Sequence, residues 1–241
     1  MAPQLEVTAF THQGRVRDGN EDSITVAGWV SDVAMSGLRR SRHELTEPVL
    51  CAVADGMGGH AAGEIASRYA IKRLATEPFA GGEASAVAGV LAAINAELYQ
   101  TMAADRSLRG MGTTVAGLLL SAARVLWFNV GDSRVYRHRD GSLQQLSTDH
   151  VPPGARSNII TQSLGGALAF TAIEPDIGAD DLAVPSRWLV CSDGLTDMVG
   201  DADIARCLED HDEEAARKLF EAAMVAGGVD NISIILASVG P

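Results

Sequence analysis

The stretch VLCAVADGMGGH, residues 49–60, joins a run of strand-forming residues to an aspartate and a cluster of glycines. Val49–Val53 has the β-branched and apolar composition of a buried strand, and Asp55 comes just after that strand ends. Aspartate beside glycine is common turn chemistry, so this carboxylate alone decides nothing. The same placement at a strand edge recurs, however, at Glu21-Asp22, Asp193-Gly194 and Asp230-Asn231.

Other strand-like runs lie on both sides of this stretch. The sequence predicts at least eight strands: Leu5–His12, Ser23–Ala27, Val49–Val53, Thr113–Leu120, Val125–Val130, Val135–His138, Trp188–Cys191 and Ile232–Ala237. Alanine-rich stretches with apolar residues at three- and four-residue intervals predict helices at Ala61–Ala75, Ala84–Ala104 and Asp212–Ala226. Tight turns such as Arg139-Asp140-Gly141 are typical of antiparallel hairpins. We therefore predict a layered α+β fold, forming one domain over residues 1–241.

The composition narrows the classes of function. The 241 residues are 46% hydrophobic, and 31 acidic against 19 basic residues give a formal net charge of −12. This charge repels a phosphate backbone, so nucleic acid is not an expected partner. Solubility alone is an equally simple explanation of the acidic excess.

Cysteine usage and the N-terminal residues indicate the compartment. Cys51, Cys191 and Cys207 are odd in number and widely spaced, so we expect neither a disulfide framework nor a zinc knuckle. The opening MAPQLEVTAF lacks the basic and apolar regions of a signal peptide. The longest apolar stretch, Val115–Leu120, is far shorter than the ~20 residues of a membrane helix. We expect a cytoplasmic protein without a membrane partner.

Four dispersed carboxylate segments at strand edges favour a metal centre. Carboxylates gathered in one place repel one another and raise each other's pKa unless cations neutralise them. Since no cysteine or histidine accompanies each segment, oxygen ligands favour Mg²⁺ or Mn²⁺ over Zn²⁺ or Cu²⁺. Two such ions roughly 3.5–4 Å apart can share a water, lower its pKa and present it to a phosphorus atom.

Six segments occur in an order that resembles a known family. They are Arg17-Asp18-Gly19-Asn20-Glu21-Asp22, Asp55-Gly56-Met57-Gly58-Gly59-His60, Met111-Gly112-Thr113-Thr114, Gly131-Asp132-Ser133-Arg134, Ser192-Asp193-Gly194-Leu195 and Asp230-Asn231-Ile232. Together they resemble the metal-dependent protein phosphatases of type 2C, in their bacterial form. The resemblance extends from about residue 8 to residue 239.

The resemblance implies a fold and assigns roles to residues. The fold is a four-layer αββα sandwich, with two central antiparallel sheets flanked by helices. Two Mn²⁺ or Mg²⁺ ions are implied, and Arg17 is expected to hold the substrate phosphate. The implied ligands are Asp55 to both metals, the Gly56 carbonyl, Asp22 and (partly through water) Glu21 to one, and Asp193 and Asp230 to the other. The implied partners are a phosphorylated protein substrate and a cognate Ser/Thr kinase system.

The chain departs from the family pattern in two ligand-related places. Animal relatives carry a histidine after Asp-Gly that is proposed to protonate the leaving group, whereas this chain has Met57, as bacterial forms do. The proton could come from His60, from a metal-bound water or from solvent, and His60 is equally a candidate for packing or capping. A third metal in many bacterial members needs an acid ahead of Met111. The nearest here, Asp105, is out of register, so the sequence gives a third metal little support.

A further departure lies in the flap that helps family members to choose substrates. After Ser147-Thr148-Asp149-His150 the flap is much shortened, near residues 150–158. The short flap and the sequence of residues Thr161–Gly166 also resemble those of the phosphatases that accompany type VI secretion systems. The other candidates are a partner of a general bacterial Ser/Thr kinase and a stress-signalling regulator.

Three classes of function are compatible with this sequence. The first, an active phosphoserine/phosphothreonine phosphatase, is favoured because none of the four carboxylate segments is lost. The second is a catalytically silent module of the same fold that binds phosphoproteins. The third is a two-metal phosphodiesterase or nuclease, which the charge of −12 and the lack of basic or aromatic tracks disfavour.

Overall fold

The computed structural model describes residues 2–31, 35–58, 62–79, 81–154 and 159–240. The strands in these ranges are β1 (Gln4–His12), β2 (Ser23–Val26), β3 (Trp29–Val30), β4 (Arg39–Glu44), β5 (Val49–Ala54), β6 (Gly56–Met57), β7 (Gly112–Thr113), β8 (Val115–Leu120), β9 (Arg124–Val130), β10 (Arg134–Arg139), β11 (Ser142–Gln145), β12 (Leu164–Gly165), β13 (Asp176–Asp181), β14 (Ser186–Cys191) and β15 (Ile232–Val239). The helices are α1 (Ala62–Thr76), α2 (Ala84–Ala104), α3 (Asp193–Thr196), α4 (Asp201–Cys207) and α5 (Asp212–Val225), with a 3₁₀ turn at Arg106–Leu108.

Two six-stranded antiparallel sheets form the centre of the fold. The first has the strand order β11-β10-β14-β15-β1-β4, and the second has the order β13-β9-β8-β5-β2-β3. A small third sheet, β12-β7-β6, lies beyond the end of β5. Because β1 and β15 are neighbours, the two ends of the described chain meet in the middle of the first sheet.

Three buried clusters separate four layers. Along β5, side chains alternate between faces: Leu50 and Ala52 pack in one cluster with helices α1 and α2, whereas Cys51 and Val53 pack between the two sheets. Along β15, Ile234 and Leu236 face the cluster that contains α4 and α5, and Ile235 faces the other sheet. The order helix, sheet, sheet, helix confirms the predicted four-layer αββα sandwich.

The predicted elements are present, with one division. All eight predicted strands and all three predicted helices have counterparts within a few residues. The predicted strand Thr113–Leu120 is split at Thr114, whose amide donates to the Asp55 carbonyl at 2.9 Å. The Asp55 amide in turn donates to the Thr114 hydroxyl at 3.1 Å. Thr114 therefore leaves the ladder of β8 to hold the backbone of Asp55.

The hairpin predicted at Arg139-Asp140-Gly141 is also confirmed. Arg139 pairs with Ser142 across a two-residue turn in which Asp140 and Gly141 have φ of 51° and 72°. Positive φ at both central residues is the type I′ geometry that matches strand twist.

Two sequence expectations fall partly on residues outside those that the structure describes. His60 lies outside them, as do residues 155–158 of the shortened flap. Among the described residues, no helix combines the length and the hydropathy needed to cross a lipid bilayer.

Candidate metal centre

The strand pairings bring the four predicted carboxylate segments to one end of the two sheets. His12, at the end of β1, pairs with Ile232, at the start of β15. Cys191, at the end of β14, pairs with Ile234. In the second sheet Ser23, at the start of β2, pairs with Ala54, at the end of β5. Ser23, Ala54, Cys191 and Ile232 each lie within two residues of a carboxylate segment.

Asp22 is buried and only half satisfied by hydrogen bonds. Its Oδ2 accepts hydrogen bonds from the hydroxyls of Ser192 at 2.7 Å and Ser233 at 2.6 Å. Its Oδ1 is buried without a hydrogen-bond partner among the described residues. The pKa of Asp22 is raised to about 7, mainly by burial; the charges of Asp193 and Asp230 also raise it, and the hydrogen bonds from the two serines lower it.

Asp55 and Asp193 are half-buried, and their carboxyl groups lie close enough for each to influence the pKa of the other. Burial and the neighbouring carboxylates raise the pKa of Asp55 well above its usual range. Burial also raises the pKa of Asp193 to about 6. Asp193 Oδ1, like Asp22 Oδ1, is buried without a donor among the described residues. Carboxylate oxygens that are buried without a hydrogen-bond partner, within one cluster of carboxylates, are suitable ligands for a hard cation. The residues present therefore fit Mg²⁺ or Mn²⁺.

Gly56 lies where only a glycine can be accommodated. A Cβ at this position would lie 2.3 Å from the Gly63 carbonyl oxygen and 2.6 Å from the Glu21 carbonyl oxygen. The Gly56 amide donates to the Glu21 carbonyl at 3.2 Å, and the Ser67 hydroxyl donates to the same oxygen at 2.5 Å. Burial raises the pKa of the Glu21 carboxyl, which the positive charge of Arg17 partly offsets. The structure thus holds Glu21 and the Asp55-Gly56 backbone against each other.

Arg17 lies at the mouth of the acidic group. Its Nη2 is 2.5 Å from Asp230 Oδ2, and 53% of its side chain is exposed. The hydrogen bond to Asp230, with the charges of Asp55 and Glu21, raises the pKa of Arg17 above its usual value. A half-exposed guanidinium beside buried carboxylates can meet an anion that arrives from solvent.

Asn231 is a structural residue of the centre to which sequence reasoning gave no role. The Nδ2 of its side-chain amide donates to the backbone carbonyls of Gln13 at 2.9 Å and Gly19 at 2.8 Å. The Oδ1 of the same side chain accepts a hydrogen bond from the backbone amide of Glu21 at 2.8 Å. Asn231 therefore fixes both ends of the loop 13–19, which carries Arg17. Its place directly after Asp230 was the available signal, but the partners of a side chain 210 residues away are not visible in a sequence.

Asp132 is an acidic neighbour of Asp193 to which the sequence analysis gave no role. Burial raises the pKa of Asp132 to about 7, and the charges of Asp193, Asp149 and Asp197 add to the shift. Asp105, by contrast, is exposed and accepts from the Ser107 amide at 2.9 Å and hydroxyl at 2.7 Å. Asp105 thus caps the short 3₁₀ turn, and the acid that enlarges the buried group is Asp132.

Comparison with known proteins gives the family. A family model described as protein phosphatase 2C matches residues 40–224. The chain belongs to the protein phosphatase 2C family. The serine/threonine protein phosphatase PstP of Mycobacterium tuberculosis is 34% identical over 253 residues, which cover 98% of this chain and 45% of that protein. The chain therefore spans slightly less than half the length of this relative.

Solved structures of protein phosphatase 2C relatives share the fold. The catalytic domain of PstP in complex with two manganese ions is 32% identical, covers 99% of this chain and 100% of that one, and superimposes with a TM-score of 0.80. PppA, a key regulatory component of T6SS in Pseudomonas aeruginosa, is 28% identical, with 98% of this chain and 97% of that chain covered and a TM-score of 0.80. Since the two TM-scores are equal, backbone similarity does not separate the secretion-associated subgroup from other members.

Within the part of the chain that the structure describes, no three Asp, Glu, His or Cys side chains close around one point as a complete metal site. Magnesium-type ions in proteins usually bind through one or two carboxylates and retain several waters. The protein phosphatase 2C ligand set expected here has more carboxylates than that, two or three per ion, together with a backbone carbonyl and water.

The buried cysteines have no part in the chemistry of this centre. Burial raises the pKa of Cys51 and of Cys191 to about 12. Both thiols are therefore protonated at neutral pH, and a thiol is a much weaker nucleophile than a thiolate. Cys51 packs between the sheets and Cys191 beneath the outer helices.

Proposed function

We propose that this chain is a metal-dependent phosphoprotein phosphatase that hydrolyses phosphoserine and phosphothreonine. The observation that carries the proposal is a pair of buried oxygens, on Asp22 and Asp193, that have no donor among the described residues and lie within a cluster of carboxylates that Arg17 flanks. Membership of the protein phosphatase 2C family supports the same activity.

The proposed roles divide the residues into two sets. Asp22, the Gly56 carbonyl and, partly through water, Glu21 would hold one cation, Asp193 and Asp230 would hold the other, and Asp55 would contribute to both. When bound, two Mn²⁺ or Mg²⁺ ions supply an activated water and neutralise charge that develops on the phosphoryl group.

Arg17 orients the substrate in this proposal. A guanidinium can donate two parallel hydrogen bonds to two phosphate oxygens, which fixes the phosphorus atom relative to the buried carboxylates. Its exposed face lies toward solvent, from which a phosphorylated side chain approaches. Met57 has no proton to give to the leaving alkoxide, so the candidates for the donor remain His60, a metal-bound water and solvent.

The proposed partners are a phosphorylated bacterial protein and the Ser/Thr kinase that modifies it. A role beside a type VI secretion system is one version of this proposal, which the fold shared with PppA supports. A general kinase partner is the other, which the relation to PstP supports.

The test is phosphate release from a phosphothreonine peptide by purified protein, with Mn²⁺ and with a chelator. We expect release only with the metal and its loss in Asp193→Asn. Asp105→Asn is the matched control, because this exposed carboxylate caps a turn, and it should keep both activity and Mn²⁺ affinity measured by calorimetry.

Three outcomes would count against the proposal. Near-normal turnover of Asp193→Asn with Mn²⁺ contradicts the metal assignment. No release by the parent, together with tight binding of the phosphopeptide, favours the binding module. Faster hydrolysis of a bis-aryl phosphodiester than of an aryl monoester favours the phosphodiesterase or nuclease class.

A further inference from the structure

Two exposed valines each precede one partner of the ion pair between Arg17, the proposed phosphate-binding residue, and Asp230. Val16 directly precedes Arg17, and Val229 directly precedes Asp230. The Arg15 amide donates to the Gly228 carbonyl at 2.7 Å, and the Arg17 side chain pairs with Asp230 at 2.5 Å. These two contacts bracket both valines. The valines therefore lie on adjoining stretches of backbone at the mouth of the site.

The backbone that carries the two valines is firmly packed. A Cβ at Gly14, which has a φ of +79°, would lie 2.2 Å from the Asp230 carbonyl oxygen and 2.7 Å from that of Gly228. The two loops thus touch backbone to backbone, and Asn231 fixes both ends of the first loop. A surface held in this way is preformed, so a ligand does not have to order it on binding.

Both side chains are nevertheless left in solvent. Val16 is 63% exposed and Val229 is 48% exposed. Scattered surface apolar residues are normal, but these two lie on packed, touching loops beside the proposed reactive centre and together provide apolar surface there.

The small apolar area of the two valines and the net charge of the protein limit what can bind there. Two valines offer far less than the roughly 800 Å² per partner of a stable protein interface, which excludes a second copy of the chain held by these valines alone. A net charge of −12 opposes attraction to an anionic lipid surface. A short polypeptide whose phosphate is already held by Arg17 needs only one further apolar contact in this place.

We infer that Val16 and Val229 form a specificity subsite that binds an apolar side chain of the substrate polypeptide, close in sequence to the phosphorylated residue. The inference rests on the proposed function, because Arg17 must hold the phosphate for the flanking residue to reach the valines. It predicts that the enzyme prefers substrates with Leu, Ile, Val or Met over those with Ser, Gly or Glu at one position flanking the phosphorylated residue. The preference is expressed mainly in KM, since the valines do not touch the reacting atoms.

The experiment compares phosphothreonine peptides in which Leu or Ser stands at each of the two positions before and after the phosphothreonine. We expect the parent with Mn²⁺ to favour Leu at one position by about threefold to tenfold in kcat/KM. The double variant Val16→Ser/Val229→Ser should lose that preference through a higher KM for the Leu peptide. Its kcat/KM for a simple aryl phosphate, which has no flanking residue, should stay within about twofold of the parent value.

Val184→Ser is the matched control, because Val184 is also an exposed valine, but it precedes β14 at the end away from Asp193. It should keep the full preference, and thermal unfolding of all variants tests that they fold. The inference is overturned if the parent hydrolyses all the peptides equally or if the double variant keeps the preference. It is also overturned if Leu168→Ser, on the exposed segment after β12, removes the preference instead. Failure of the parent to hydrolyse even the aryl phosphate would refute the proposed function itself, which is a distinguishable result.

Discussion

The Arg17 guanidinium lies 2.5 Å from the Asp230 carboxylate, so the expected phosphate-binding cation pairs with an expected metal ligand. A divalent cation bound by Asp230 would draw on the same negative charge and weaken this pair. Metal binding and phosphate binding are therefore linked, because a cation at Asp230 leaves the guanidinium free for the substrate.

Replacing Arg17 with lysine should separate these two functions. Lysine keeps the positive charge beside Asp230 but cannot form the two-pronged contact with phosphate. We expect kcat/KM for a phosphopeptide to fall roughly tenfold to a hundredfold, or about 1.4–2.8 kcal/mol, with Mn²⁺ affinity changed by less than about threefold. Steady-state kinetics and calorimetry check this. An equal loss of metal affinity would show that Arg17 acts by organising the ligands.

The metal-free protein should become more stable as pH falls from 8 to 6. Burial raises the pKa of Asp22 and of Asp132 to about 7, and of Asp193 to about 6. Since these folded-state pKa values exceed those of the unfolded chain, the folded state binds more protons between about pH 4 and 7. The free energy of unfolding therefore decreases as pH rises through this range.

Urea unfolding in chelator at pH 6, 7 and 8 measures this slope. Saturating Mn²⁺ should reverse it, since protons then compete with the metal for the same oxygens. A metal-free stability that rises from pH 6 to 8 would show that these carboxyl groups are not repelling one another.

Asn231→Ala should reduce both stability and activity. The substitution removes hydrogen bonds to Gln13, Gly19 and Glu21 and leaves part-buried backbone groups without these partners, at a cost of about 1–3 kcal/mol. Asn95→Ala is a matched control, because this buried amide also joins distant segments, through Thr171 and Gly165. Both variants should be destabilised in urea, but Asn231→Ala should show the larger rise in KM. Equal KM values for the two would contradict a positioning role of Asn231.

Gly56→Ala and Gly89→Ala should have opposite effects on stability. A methyl group at Gly56 meets backbone oxygens at 2.3 Å and 2.6 Å, which cannot move without separating Asp55 from Glu21. We expect a loss of about 3 kcal/mol or more, together with loss of Mn²⁺ binding. Gly89 is exposed within α2 and has no atom within 4 Å of the added methyl group, so alanine should stabilise the helix by about 0.5–1 kcal/mol. Thermal unfolding of the two variants checks the pair.

The elements with strong local patterns were predictable from the sequence. Helix α2 begins and ends at the predicted residues, Ala84 and Ala104, because its apolar stripe repeats over 21 positions. Strand β4, with the sequence RRSRHE, was missed because it is a charged edge strand. Its local sequence does not favour a strand, and its pairing with β1 stabilises this conformation. Strand β13, with the sequence DIGADD, was missed for the same reason, since its register comes from β9.

The acidic positions of the centre were predictable, but the residues that hold them were not. Asp22, Asp55, Asp193 and Asp230 are marked by strand ends and glycines, which are local signals. The support from Ser192, Ser233 and Asn231 depends on which strands are neighbours, and that is a tertiary property. The same holds for Asp132, whose importance comes from burial beside Asp193.

Strand β15 occupies the place between β14 and β1, and Asp230 and Asn231 come immediately before it. During synthesis on the ribosome, residues 1–229 emerge before these two, so a nascent chain carries Asp22, Asp55 and Asp193 without their partner. Until residues 230–239 follow, β1 and β14 have no strand to join them and loop 13–19 has no amide to hold it. The proposed metal centre is thus completed only when the last strand of residues 1–241 has been synthesised, so these residues cannot bind metal through their full ligand set before that point.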